Sequence, residues 1–135
     1  MSTRSAIGIL KENGSIEAVY CHYDGYIKGG VGQMLFEHYN SRSDVEQLIS
    51  NGNISSLDKE IGEKHDFDKG HDGWTTFYGR DRGESGQWAR KFLHPLSFHQ
   101  HYNASEYYYL YDEANEEWMV KTYDGKRYRK LSEFL

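Results

Sequence analysis

The carboxyl-terminal run SEYYYLYDEANEEWMVKTYDGKRYRKL, Ser105 to Leu131, constrains the fold more than any other stretch of the chain. Successive side chains of a strand point to opposite faces, so Tyr107, Tyr109 and Tyr111 share one side of an extended segment while Tyr108 and Leu110 share the other. An acidic turn follows, and then Trp118 and Val120 alternate with Met119 and Lys121. Asp124-Gly125 suits a tight hairpin turn into a third short strand. The expected product is an antiparallel meander stabilised by aromatic cross-strand pairs.

The amino-terminal segment repeats the pattern. SAIGILKENGSIEAVYCHY holds two β-compatible runs joined around Asn13-Gly14, with Ser5, Ile7 and Ile9 on one face of the first. In the second, Val19, Cys21 and Tyr23 alternate with Ala18, Tyr20 and His22, which sends the neighbours Cys21 and His22 in opposite directions. After the glycines at 25, 29, 30 and 32 the period lengthens. Val31, Leu35 and Tyr39 can share a helical face, predicting a helix from near Gly30 to near Asn40. SRSDVEQLISNGN predicts a second helix, with Ser43 and Glu46 as a capping box, Val45, Leu48 and Ile49 as the apolar stripe, and Asn51-Gly52 as the stop. Ser55 to Asp58 repeats the capping pattern before a short turn ending at Gly62.

Between Lys64 and Gly86 the chain is polar and glycine-rich. GWTTFYGR is its one β-like insertion, with Thr76, Tyr78 and Arg80 expected on one face. Further on, Trp88, Phe92 and Leu93 are spaced for a short helix that Pro95 would end. The reading is α+β: a mainly antiparallel sheet with two or three short helices packed on one face, one face covered and the other partly wet, in a single compact domain over 1–135.

Composition narrows the function classes. Sixteen basic against twenty-one acidic residues leave a net charge of -5, which argues against broad phosphate-driven nucleic-acid binding. Twelve tyrosines favour sheet packing and a protein-facing patch, and an aromatic face or edge could pair two subunits into a homodimer. One cysteine excludes an intrachain disulfide, no apolar run is long enough to cross a bilayer, and a cytoplasmic location is expected.

Several clusters could carry chemistry. His22 and Asp24 flank a strand-to-turn junction where a carboxylate could orient an imidazole for proton transfer; Asp24 satisfying turn amides is the plainer reading. Cys21 is an alternative nucleophile, though a small core residue is the simpler role. The glycines lack a complete nucleotide motif, so no cofactor is expected. His65, Asp68 and His71 could ligate a metal, but their spacing matches neither zinc nor calcium patterns. In YGRDRGES, Arg80 and Arg82 offer planar donor forks that Asp81 and Glu84 can hold, giving either an anion receptor or a self-satisfied loop. With Tyr23 and Tyr26, these four residues form the expected partner-binding set.

STRSAIGI, VYCHYDGY, the glycines followed by Leu35 and Tyr39, and YGRDRGES together resemble a family of small uncharacterised proteins carried by bacteriophages and related mobile elements. The resemblance spans most of the chain and transfers no activity or site residue. It implies an accessory protein that binds a host protein, in the manner of inhibitors of host defence, anti-CRISPR proteins among them. The alternative is a small hydrolase, or an anion- or nucleotide-binding protein, using His22, Asp24, Arg80 and Arg82.

Overall fold

A computed structural model describes residues 2–135. The strands are β1 (Ser5–Leu10), β2 (Ile16–Cys21), β3 (Ile54–Ser56), β4 (Thr76–Phe77), β5 (Arg90–Phe92), β6 (Tyr107–Asp112), β7 (Glu117–Thr122) and β8 (Arg129–Lys130). The helices are α1 (Val31–His38), α2 (Arg42–Ser50), α3 (Tyr78–Arg82) and α4 (Pro95–His101), and a 3-10 turn spans Leu131–Phe134. One eight-stranded sheet runs β4-β3-β2-β1-β6-β7-β8, with β5 alongside β2. The class is α+β with a mainly antiparallel sheet; among the strand pairs of the described residues, β1–β6 and β2–β3 are parallel and the rest antiparallel.

The β1–β2 hairpin forms as its turn residues dictate, whereas residues 123–128 separate β7 from β8 and Asp124-Gly125 does not close the tight turn expected of it. Gly14 takes φ +90, and the Lys11 N–H closes the β1–β2 turn on the Ser15 carbonyl at 2.8 Å. In β6, Tyr109 and Tyr111 point into the larger core with Ile7, Ile9, Val19 and Cys21, while Tyr108 and Leu110 join the smaller one. The larger core lies under α1 and α2, whose Val31, Leu35, Val45, Leu48 and Ile49 are buried. Each such apolar side chain contributes about 1.5–3 kcal/mol relative to exposure. On the other face, Phe98 of α4 packs with Ala6, Ala18, Tyr108 and Leu110, so that face is covered in part. The tyrosine face therefore belongs to the core. Trp118 Nε1 donates to the Tyr39 carbonyl at 2.7 Å, and Tyr109 Oη to the Gly25 carbonyl at 2.6 Å, which tie the meander to the end of α1 and to the turn before it.

Local expectations fail where a tertiary partner competes. Ser41, not Ser43, caps α2, accepting from the Asp44 N–H at 3.2 Å; the earlier start places Arg42 on the helix, four residues from Glu46 at 2.9 Å. Ser55 caps nothing. Ile54 is buried opposite Cys21 and draws this segment into the sheet. The predicted Trp88–Leu93 helix is strand β5 instead, because Arg90, Lys91 and Phe92 pair with β2 and Phe92 meets Phe98 at 5.9 Å. Pro95 opens α4 rather than ending a helix: its missing N–H is no loss in a first turn. Among the described residues, no helix is long and apolar enough to cross a membrane.

Candidate functional site

The segment Tyr78–Arg82 was expected to extend a strand, with Thr76, Tyr78 and Arg80 on one face. The strand ends at Phe77, and the next five residues turn helical. Asp81 causes the change. Its Oδ2 accepts from the Phe77 N–H at 2.8 Å, and its Oδ1 from the His65 N–H at 3.1 Å, so the carboxylate caps the chain reversal and fastens the 61–65 loop to it.

Arg80 completes this clamp. Its Nε lies 2.9 Å from Asp81 Oδ1, one terminal nitrogen donates to the Ile61 carbonyl at 2.9 Å, and the other to the Thr75 carbonyl at 2.9 Å. The Asp81 side chain is fully buried. Burial pushes its carboxyl up, but the Arg80 guanidinium and the Phe77 and His65 N–H groups outweigh that and hold it below the usual carboxylate range. Arg80 and Asp81 thus serve structure, and neither offers a free group to a ligand.

Arg82 faces the other way. Its guanidinium lies 4.5 Å from the Phe67 ring centre and 4.9 Å from that of Tyr78, and its ion pair is with Glu84. Arg82, Phe67 and Tyr78 line a cleft of about 560 Å³ with His22, Tyr23, Asp68 and Lys69. The cleft therefore unites four residues singled out in the sequence, His22, Tyr23, Asp68 and Arg82, from three separate segments. His22 Nδ1 is hydrogen-bonded to Tyr20 Oη at 2.6 Å, and its ring meets Tyr23 edge-on at 4.6 Å. Burial first, and then the charge of Arg4, lower the His22 pKa, which disfavours the imidazolium form.

The other candidates do not join this cleft. Asp24 takes φ +57, its carbonyl accepts from the Val31 N–H at 2.7 Å, and its carboxylate accepts from Tyr26 Oη at 3.2 Å. No described hydrogen bond or ion pair links it to His22, so the proposed acid–base pair is not assembled. Cys21 is wholly buried and its thiol is pushed up to about 12, chiefly by burial, which leaves no thiolate for nucleophilic attack. The first N–H groups of α1 are taken by the carbonyls of Asp24, Tyr26 and Ile27, so the glycine loop presents no phosphate cradle.

The His65, Asp68 and His71 alternative also disperses. His65 Nδ1 sits 2.8 Å from the Glu63 carbonyl and Nε2 3.1 Å from Thr76 Oγ1, while His71 stacks on Trp74 at 3.6 Å. Among the described residues, no group of three potential ligands gathers.

Phe67 and Lys69 escaped the sequence reading. Phe67 meets Arg82 only because the intervening loop folds back through the Asp81 clamp, a contact that no local period announces. The assembled cleft can hold a carboxylate or other anion at Arg82 and Lys69 and pack apolar groups on Phe67, Tyr78 and Tyr23; it lacks a paired base and nucleophile. No family model matches the chain, and neither does a curated protein or a solved structure.

Proposed function

We propose that this chain is a non-catalytic accessory protein of a bacteriophage or related mobile element, acting in the host cytosol by binding a host protein through the Arg82 cleft. The observation that carries the reading is Arg82 itself: its side chain is 48% exposed, yet Phe67, Tyr78 and Glu84 hold it in one orientation beside exposed Tyr23. A pre-oriented guanidinium among aromatic rings loses little entropy on docking, and arginine and tyrosine dominate the energetics of protein interfaces. The matching surface on the host protein is an acidic side chain flanked by apolar groups. Inhibition of a host defence enzyme, as by anti-CRISPR proteins, is the specific form that the family resemblance supports.

The test is affinity capture from a bacterial host followed by reconstitution with the purified candidate. Arg82→Ala and Tyr23→Ala should each weaken the reconstituted complex by about 1–2 kcal/mol while the fold persists. Unchanged affinity in both folded variants would overturn the assignment of the cleft. A hydrolase built on His22 and Asp24 has no assembled pair to support it.

A further inference from the structure

A second cleft, of about 340 Å³, adjoins the first. The two meet at the Tyr20–His22 hydrogen bond, since Tyr20 lines one and His22 the other. Arg4, Arg90 and His101 line the second cleft, and its wall contains no aspartate or glutamate, in a chain whose net charge is -5. Neither arginine takes part in an ion pair among the described residues.

The carboxamides of this wall are already engaged. Asn53 accepts from the Tyr20 N–H at 2.9 Å and donates to Gln87 at 2.9 Å, and Gln87 passes its own amide to Glu84 at 3.2 Å. The two guanidinium groups are the cleft's cationic donors, with Arg4 beside the Tyr20 hydroxyl. Their field reaches the neighbouring rings: after burial, Arg90 lowers the His101 pKa as Arg4 lowers that of His22. Both arginines are exposed and hydrated in the free chain, and a cleft lined by one sign of charge focuses its field and raises the local concentration of anions.

We infer that this second cleft is a binding site for a phosphate group, held by the guanidinium groups of Arg4 and Arg90 with the Tyr20 hydroxyl at its rim. Guanidinium forks match phosphate oxygens in bidentate geometry and supply direction as well as charge. The volume lies near the lower end of small-molecule sites, which run from about 300 to 1,000 Å³. It accommodates inorganic phosphate or a small phosphomonoester. The site uses none of the residues assigned to the host-protein interface, so it stands or falls independently of that reading.

The experiment is a titration of the full chain with inorganic phosphate and, separately, with adenosine 5′-monophosphate, at ionic strength held constant with chloride. Arginine side-chain Nε resonances are followed by NMR. Either probe should shift the Arg4 and Arg90 signals saturably, and Arg4→Gln and Arg90→Gln should each weaken binding at those signals about tenfold or more, whereas Arg127→Gln, at an exposed position that lines neither cleft, should not. Equal affinity for the two probes would identify the free anion as the ligand, and tighter binding of the nucleotide a phosphate on an organic carrier. The absence of a saturable shift with both probes would overturn the inference, as would binding that survives the Arg4→Gln/Arg90→Gln double substitution. If a variant fails to fold, the response of the unsubstituted chain still decides.

Discussion

Arg80 and Asp81 close on each other at 2.9 Å with the carboxylate fully buried, while Arg82, one residue further, leaves the clamp and lies over Phe67. Two arginines of one motif, separated only by Asp81, therefore do different work. Arg80→Ala should lower the unfolding free energy by about 3 kcal/mol, because it strands a buried carboxylate. Arg82→Ala should change it by less than about 1 kcal/mol, since only an exposed pair and ring contacts are lost. Urea unfolding of the two variants checks the split, and equal losses would refute it.

Asp81 also makes stability depend on acid. Its folded pKa is depressed, so the stability it contributes is present above the ordinary carboxylate range, about pH 4, and is lost as pH falls through the folded value. Asp81→Asn should be less stable than the parent at pH 7, and the gap should narrow below pH 4. Unfolding midpoints at pH 7, 5 and 3 measure this; a gap that stays constant would rule it out.

Cys21 provides a probe of the core. With its thiol raised to about 12 and its side chain closed to solvent, it should resist a thiol reagent at pH 8 in the folded chain and react fully after unfolding. Mass spectrometry of labelled protein gives the result. Rapid labelling of the folded protein would restore a reactive role.

Tyr109 separates a core tyrosine from a surface one. Tyr109→Phe removes the bond to the Gly25 carbonyl and should cost about 1 kcal/mol or more, whereas Tyr123→Phe, at a position 69% exposed, should be neutral. Thermal unfolding distinguishes them. Were the tyrosine face a subunit interface, Tyr109→Phe would instead alter the mass seen by light scattering and its dependence on concentration.

Gly29 and Gly30 are adjacent but constrained by different physics. A Cβ on Gly30 would come within 2.5 Å of the Asp24 and Tyr26 carbonyl oxygens, whereas one on Gly29 would meet open space and suffer only its φ of +75. Gly30→Ala should destabilise by about 2 kcal/mol or more, and Gly29→Ala by about 1 kcal/mol. Chemical denaturation of the pair gives the order, and a reversed order would show that the glycine loop packs differently.

The sequence by itself determined what depends on period and turn chemistry. The alternation in β1, β2, β6 and β7, the Asn13-Gly14 turn and the Val45–Leu48–Ile49 stripe are local patterns, and the faces they imply are those observed. Only the tertiary structure decided matters where distant groups compete for a segment. Pairing with β2 turned the Trp88–Phe92 region from helix to strand, and burial of Ile54 denied Ser55 a helix to cap. The site divides in the same way. The residue types of YGRDRGES showed that its arginines could be held by acids, but which arginine closes on the buried Asp81 depends on the His65 N–H and the Ile61 carbonyl, more than ten residues upstream. The joining of His22, Tyr23, Phe67 and Arg82 into one cleft likewise follows from long-range hydrogen bonds that fold the 61–81 loop back onto the sheet, and contacts of that range leave no periodic trace in the chain.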